Sequence, residues 1–203
     1  MDLTLFKALN GIAHASDRFE DLTSFLAQDA QFFFVALLAV LFFGRGKWAT
    51  RNGRHGVVAA GFASGLGLLV AHAIAGIWDR PRPSLAHPAA AHLYIGSSHD
   101  PSFPSDHATA AFAIAVSILL RNRRAGWLAL GMAILLSLSR VVVGTHYPSD
   151  VFAGAAIGTT AALVLWLPSV RRPLGMLADR LAGAYEDLAT VTARRVRRLA
   201  ASG

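Results

Sequence analysis

Five long apolar runs divide the chain, and short polar segments separate each run from the next. The runs cover residues 26–43, 57–78, 108–120, 126–143 and 151–167. A transmembrane helix needs about 20 predominantly apolar residues, so the pattern predicts five membrane-spanning helices rather than the buried helices of a soluble domain. The third run is the shortest. We expect its helix to extend back to Asp106 and His107, which would then lie inside the protein at membrane depth.

Both ends of the chain are amphipathic. The first 25 residues place apolar side chains among polar ones, a pattern typical of a helix in the membrane interface. After Pro173, apolar residues recur at near-helical spacing and four arginines follow, which indicates either a helix on the anionic inner leaflet or a solvated tail. We therefore expect an all-α, polytopic membrane bundle with an N-terminal interfacial helix and a C-terminal amphipathic helix. The membrane domain would cover residues 1–170, and the basic helix or tail residues 171–203.

Composition agrees with a membrane location. Hydrophobic residues make up 54% of the chain and charged residues 15%, a balance too apolar for an ordinary soluble domain. The chain has no cysteine, so disulfide bonds, thiolate metal sites and cysteine nucleophiles are excluded. Its net charge of +7 is concentrated in short clusters beside the apolar runs. We therefore expect membrane lipids, and not nucleic acid, as its partners.

Basic residues favour alternate loops. The loops after the first, third and fifth runs share an excess of arginine and lysine: Arg45, Lys47, Arg51 and Arg54; Arg121, Arg123 and Arg124; Arg171 and Arg172. Short cytoplasmic loops carry such an excess. The pattern predicts a multi-pass protein of the bacterial cytoplasmic (inner) membrane with a cytoplasmic C-terminus. The N-terminus and residues 79–107 and 144–150 would lie on the outer, periplasmic face.

Three polar segments lie on this predicted outer face, at residues 79–83, 104–107 and 139–150. A single arginine at the end of a span commonly extends to the interface, but three arginines here lie on the face that the other basic residues avoid. Guanidinium groups match the oxygens of phosphate, and a serine hydroxyl adds a donor. The segments therefore predict a site for a tetrahedral oxyanion. Its expected ligands are Arg80, Arg82, Ser105 and Arg140.

Two histidines on the same face suit a phosphoryl transfer in two steps. His146 and Asp150 are four residues apart and share one face of a helix, so the carboxylate can fix the imidazole tautomer and leave the other ring nitrogen free to attack. His107, on another segment, can donate a proton to the leaving oxygen. The alternatives are a structural helix cap at His146 and Asp150 and a buried structural histidine at 107.

Other histidines raise the alternative of a metal path. His72 lies within the second apolar run, and His87, His92 and His99 lie in the following loop. Their loop spacings of five and seven residues follow no usual metal-ligand pattern. Solvated side chains are the favoured interpretation, and we predict neither a metal site nor a cofactor.

The spacing of the polar residues resembles a known family. Ser139-Arg140, His146 and Asp150 reproduce the third signature of the type 2 phosphatidic acid phosphatase superfamily, and residues 104–107 and 82–83 resemble its second and first. The resemblance implies a helical membrane bundle and catalysis without a metal. It implies that His146 is the nucleophile and carries a phosphohistidine, that Asp150 orients it, that His107 is the general acid, and that Arg82, Ser105 and Arg140 hold phosphate oxygens.

Two residues depart from the family pattern. The lysine of the first signature falls at Ala75, and Arg80 is the candidate substitute for its charge. Asp106 replaces a glycine and adds a carboxylate beside an anion site. Because this carboxylate would repel a dianion, we expect Asp106 to have a structural or proton-handling role.

Within the superfamily, residues 102–109, the Arg-Pro-Arg-Pro segment and residues 5–11 resemble the undecaprenyl pyrophosphate phosphatases of the bacitracin-resistance type. The leading hypothesis is a phosphatase for a polyprenyl pyrophosphate on the outer face. Phosphatidylglycerol phosphate, phosphatidic acid and a prenyl-phosphosugar are alternative substrates. Vanadate-dependent halide oxidation and a transporter that only binds phosphate are alternatives of other classes. The sequence does not reveal the oligomeric state.

Overall fold

The computed structural model describes residues 1–13, 16–44, 46, 50–96 and 98–201 of the chain. These residues form eight α-helices and no β-strand, which confirms the predicted all-α class. The helices, in chain order, are α1 (Asp2–Ala13), α2 (Asp17–Phe43), α3 (Arg51–Ala75), α4 (Pro83–Ala86), α5 (Asp106–Leu119), α6 (Arg123–Val142), α7 (Pro148–Trp166) and α8 (Pro168–Ala201).

Local sequence explains where the long helices begin. The Thr50 hydroxyl accepts a hydrogen bond from the Gly53 N–H at 3.0 Å, and the Asn122 amide oxygen accepts one from the Ala125 N–H at 3.2 Å. These side chains cap α3 and α6. α7 begins with Pro148, in the first turn, where the missing N–H costs no helical hydrogen bond. The helices therefore start several residues before the apolar runs that predicted them.

Four of the five predicted spans are long helices. α2, α3, α6 and α7 each have the length and hydropathy to cross a bilayer. α5 has only 14 residues, about 21 Å of helix against a hydrocarbon core of about 30 Å. It begins at Asp106, as expected, and packs against α3, α6 and α7. Because protein surrounds it, α5 does not have to match the thickness of the bilayer.

Small residues occupy the helix contacts. Ala63, Ala113 and Ala162 are buried together where α3, α5 and α7 meet, and Gly158 of α7 lies directly against the backbone of α5 at Thr109. Small side chains let membrane helices approach closely. Large apolar side chains face outward instead, as lipid contact requires. They include Phe32, Leu69, Trp127 and Phe152.

Two helices share the first 25 residues. α1 packs against α6 and α7, whereas the second half of the segment extends the first span as the start of α2. Phe6 is fully buried, with its ring centroid 5.7 Å from that of Tyr147. Asn10 donates to two backbone carbonyls at 2.8 Å. One face of α1 is thus docked on protein, because Asp2, Phe6 and Asn10 recur every four residues.

α8 is one continuous helix that packs on the start of α3. Arg51 forms an ion pair with Asp179 and Arg54 one with Glu186, both at 2.6 Å. The C-terminal segment is therefore a helix rather than a solvated tail, and it begins at Pro168. The starts of α3, α6 and α8 define one end of the bundle, which we call the basic end. Arg45 and Lys47 lie outside the described residues.

Candidate active site

The opposite end of the bundle, the site end, contains a cavity of about 370 Å³. The segment after α3, the start of α5 and the loop between α6 and α7 meet there. A Cβ atom at Gly154 would lie 2.5 Å from the Ser105 carbonyl, so the start of α5 is level with the second turn of α7. The cavity is therefore recessed below the start of α7. Its lining residues are His72, Ala75, Arg82, Asp100, Pro101, Pro104, Asp106, His107 and His146.

His146 is held in one tautomer. Its side chain is 3% exposed, and Nδ1 lies 2.8 Å from the carbonyl oxygen of Ser102. A carbonyl only accepts hydrogen bonds, so Nδ1 carries the proton and Nε2 keeps a free electron pair. Burial lowers the pKa of His146, and the charges of Arg140 and Arg82 lower it further against the opposing effect of Asp150. The buried ring therefore favours its neutral, nucleophilic form.

Asp150 acts on His146 through an intermediary. Its Oδ2 lies 3.8 Å from His146 Nδ1, within the range of an ion pair but longer than a hydrogen bond. The carboxylate is fully buried. It accepts bonds from the Ser102 hydroxyl at 2.5 Å and the Tyr147 N–H at 2.8 Å. Asp150 therefore fixes Ser102, and the Ser102 carbonyl orients His146.

Arg80 lies behind Asp150 and does not line the cavity. Its guanidinium donates to Asp150 at 2.6 Å, Ser149 at 2.7 Å and Asp2 at 2.7 Å. It also stacks on the Tyr147 ring, 3.9 Å from the centroid. These bonds occupy the guanidinium group that was expected to contact phosphate. In this position Arg80 neutralises the buried carboxylate.

Sequence reasoning missed Asp2 and Ser102. Asp2 accepts from the Ser149 N–H at 3.1 Å and the Ser149 hydroxyl at 2.6 Å, in addition to its bond from Arg80. The N-terminus of α1 is thus bonded to the loop that carries His146. For Asp2, the only indication in the sequence was the four-residue spacing of Asp2, Phe6 and Asn10 in α1. Ser102 had no signal, because its contribution is a backbone carbonyl and a hydroxyl whose partner is distant in sequence.

Two buried donors beside the cavity have no partner in the described part of the chain. They are the Ser105 hydroxyl and the Arg140 Nε. A buried donor without an acceptor costs about 1–3 kcal/mol, so both groups favour an acceptor such as a phosphate oxygen. Arg140 does bond the Ala27 carbonyl at 3.1 Å through Nη1. Its charge is close enough to influence both histidines.

Arg82 and the start of α5 add further donors at the cavity. Arg82 Nε donates to the Asp100 carbonyl at 3.0 Å, which aims the side chain into the cavity that it lines. α5 begins beside it, with Ser105 at the N-cap and His107 in the first turn. The first N–H groups of a helix have no partner within the helix, and its positive dipole end attracts anions. The site therefore combines guanidinium, hydroxyl and backbone donors.

His72 and Asp106 form a pair close to Ala75, where the sequence departs from the family pattern. His72 lies one turn before Ala75, and its Nε2 is 3.5 Å from Asp106 Oδ2. Its Nδ1 lies 2.8 Å from the Leu68 carbonyl and therefore carries a proton. The two side chains thus lie together at the rim of the cavity.

The remaining histidines do not gather into a metal site. His87 packs edge-on against Tyr147, with centroids 6.5 Å apart. Among the described residues, no group of three or more histidine, cysteine, aspartate or glutamate side chains is arranged to hold a metal ion.

An all-α membrane bundle with a cavity lined by Arg82, His107 and His146 has the fold and the side chains expected of a membrane phosphatase. Comparison with known proteins agrees. Residues 56–173 match the model of the PAP2 superfamily. The chain belongs to the PAP2 superfamily and is an integral membrane lipid phosphatase.

The similar proteins match half of the chain or more. Undecaprenyl-diphosphatase BcrC of Bacillus subtilis is 35% identical over 158 residues, covering 77% of this chain and 78% of that protein. Decaprenylphosphoryl-5-phosphoribose phosphatase of Mycobacterium tuberculosis is 41% identical over 108 residues, covering 50% of this chain and 57% of that protein. The crystal structure of Aquifex aeolicus LpxE has a similar fold, with a TM-score of 0.66 at 23% identity, covering 80% and 93% of the two chains.

Proposed function

We propose that this protein hydrolyses undecaprenyl diphosphate, or a closely related polyprenyl diphosphate, to the monophosphate and inorganic phosphate. The observation that carries the proposal is the cavity in which His146 presents a free Nε2 beside Arg82, the Arg140 charge and His107. The similarity to an undecaprenyl-diphosphatase over most of both chains supports this choice of substrate.

In the first step, Nε2 of His146 attacks the terminal phosphorus, and the bond from that phosphorus to the bridging oxygen breaks. His107 donates a proton to this oxygen, and the polyprenyl monophosphate leaves. Arg82, Arg140 and Ser105 stabilise the charge on the non-bridging oxygens. His146 is left as a phosphohistidine, and the Ser102 carbonyl stabilises the proton on its Nδ1.

In the second step, water attacks the phosphohistidine. His107, now unprotonated, accepts a proton from this water, and the bond between phosphorus and Nε2 breaks. Inorganic phosphate leaves, and His146 and His107 return to their starting protonation states. Arginines and backbone amides supply the positive charge for both steps.

The proposed location follows from the distribution of charge. The cavity lies at the site end, and the arginine-rich loops lie at the basic end. If the basic end faces the cytoplasm, the active site opens on the periplasmic face of the inner membrane and α8 lies on the cytoplasmic side.

Comparison of substrates tests the proposed function. Purified protein in detergent would be assayed for phosphate release from undecaprenyl diphosphate, decaprenylphosphoryl-5-phosphoribose, phosphatidylglycerol phosphate and phosphatidic acid, with and without EDTA. We expect kcat/KM to be at least about tenfold higher for the diphosphate, a difference of about 1.4 kcal/mol in transition-state binding. EDTA should leave the rate unchanged. A higher kcat/KM for any of the other lipids would reassign the substrate, and phosphate binding without turnover of any lipid would favour a transporter.

Replacement of His107 tests its role as the acid. His107→Ala should lower turnover about 10²–10⁴-fold for substrates with a poor leaving group, because proton donation matters most there. Aryl phosphates with progressively better leaving groups should show a progressively smaller loss. His99→Ala, a loop histidine that is exposed, is the matched control. An equal loss along the whole series would contradict the acid role.

A further inference from the structure

A second cavity, of about 570 Å³, lies at the basic end. It is formed by the start of α3, the turn after α5, the end of α7 and the start of α8. Its charged lining residues are Arg51, His55, Arg121, Arg171, Arg172 and Asp179. Four arginines thus face one carboxylate, on the opposite end of the molecule from the active site.

The carboxylate is already occupied. Asp179 accepts two bonds from Arg51, at 3.0 and 2.6 Å, and its Oδ1 lies 2.8 Å from His55 Nε2. Hydrogen bonds from Arg51 and His55 lower the pKa of Asp179, so it is ionised and fully committed to these two partners. No carboxylate remains within the described part of this cavity to pair with Arg121, Arg171 or Arg172.

Arg121 and Arg171 are brought together by one aromatic ring. Their guanidinium carbons lie 5.0 and 4.6 Å from the centroid of Trp166. Burial lowers the pKa of Arg121, and the like charge of Arg171 lowers it further. Two arginines held against the same indole therefore repel each other unless an anion lies between them.

A donor of Arg121 also lacks a partner. Its Nε is buried and forms no hydrogen bond among the described residues. An unsatisfied buried donor is costly, and the planar arginine fork matches two oxygens of a phosphate. The geometry of this cavity therefore suits a phosphate group that bridges Arg121 and Arg171.

An apolar groove adjoins the basic cavity. It has a volume of about 680 Å³ and is lined by the same three helices, α3, α7 and α8. Their lining residues are consecutive on two of these helices, Leu165 and Trp166 on α7 and Met176 and Leu177 on α8. Phe62 and Leu181 extend the groove along the outer surface, away from the arginines.

We propose that the basic cavity and the apolar groove together bind one anionic phospholipid, separate from the substrate. Its headgroup phosphate bridges Arg121 and Arg171, and an acyl chain lies in the groove between α3 and α8. The charge of the cavity selects an anionic headgroup, and the groove selects a lipid over a soluble phosphate. Bound in this way, the lipid ties α8 to the transmembrane bundle.

The proposal is tested by lipid binding to the purified, delipidated full chain in a neutral detergent. Dioleoyl phosphatidylglycerol, dioleoyl phosphatidylcholine and inorganic phosphate would be added separately, with the melting temperature and the mass of bound adducts as readouts. We expect phosphatidylglycerol to raise the melting temperature by several degrees and to give an adduct of one lipid per chain. An equal rise with phosphatidylcholine would overturn the anionic selectivity, and an equal rise with inorganic phosphate alone would overturn the lipid assignment.

Variants locate the binding site. Arg121→Gln with Arg171→Gln should abolish the rise caused by phosphatidylglycerol, and Arg124→Gln, an exposed arginine of α6 outside the cavity, should retain it. If the double variant does not fold, Arg171→Lys is the alternative. It keeps the positive charge but loses the planar guanidinium group, and it should weaken phosphatidylglycerol binding at least about tenfold. Unchanged binding in either variant would overturn the proposal. Turnover of a soluble aryl phosphate confirms that the active site of each variant is folded.

Discussion

His146→Ala is expected to abolish phosphate release, with a loss of at least about 10³-fold in kcat. The substitution removes the only described imidazole nitrogen that combines burial, a fixed tautomer and neighbouring arginine charges. Without Nε2, no covalent intermediate forms, and the remaining donors only bind the phosphate. Substrate affinity should therefore change far less than turnover.

Trapping of the intermediate measures this effect directly. Wild-type protein mixed briefly with substrate labelled at the terminal phosphate, then quenched in alkali, should retain label on histidine that acid removes. His146→Ala should retain none, while still assembling into the helical bundle. His99→Ala should retain label normally. Label on His107 in the wild type, or full activity in His146→Ala, would contradict the assignment of the nucleophile.

Gly158→Ala is expected to destabilise the protein strongly for so conservative a substitution. A Cβ atom at this position would overlap the Thr109 carbonyl oxygen and would lie 2.8 Å from the Ala113 nitrogen. Both obstacles are backbone of α5, so no side chain can rotate away. Separation of α7 from α5 would cost about 1–3 kcal/mol or more, and we expect a fall of at least about 5 °C in melting temperature.

Gly158→Ala should also alter the geometry of the active site. Gly154, one turn earlier on α7, lies against the Ser105 carbonyl, and Ser105 N–H donates to the Asp150 carbonyl at 3.0 Å. A displaced α7 would therefore move Asp150 relative to Ser105 and lower kcat as well as stability. Gly131→Ala is the control, because a Cβ atom there meets nothing within 4 Å. Equal melting temperatures for the two variants would show that α5 and α7 do not depend on this contact.

Much of the fold was predictable because a bilayer limits the length and the polarity of the helices that can cross it. A span must be apolar over a known length, so α2, α3, α6 and α7 follow from the apolar runs. α5 was the weakest prediction, and the structure explains its short run. Since neighbouring helices enclose it, α5 can begin with the polar pair Asp106 and His107. The starts of α3 and α6 differed from the runs because Thr50 and Asn122 cap these helices ahead of the apolar residues.

The site was predictable only in part. Arg82, His107 and His146 were selected because charged side chains at span ends need a partner, and the cavity brings these three together. Arg80 was expected to bind phosphate, whereas the structure bonds it to Asp150, because the sequence could not distinguish a phosphate ligand from an arginine that neutralises a buried carboxylate. The link from Asp150 through Ser102 to His146 involves residues 44 and 48 positions apart, a separation that local spacing cannot reveal.

By itself, the sequence determined the class of protein, the number of apolar segments and the residue types of an anion site, because hydropathy and side-chain chemistry are properties of individual positions. Tertiary structure alone decided which donors remain free and which are already bonded. It brought Asp2 of α1 to Arg80, paired His72 with Asp106, and placed Arg121 and Arg171 on one indole ring. Each polar group can form only a limited number of hydrogen bonds and ion pairs. Its role therefore depends on which partners the packed helices bring within reach.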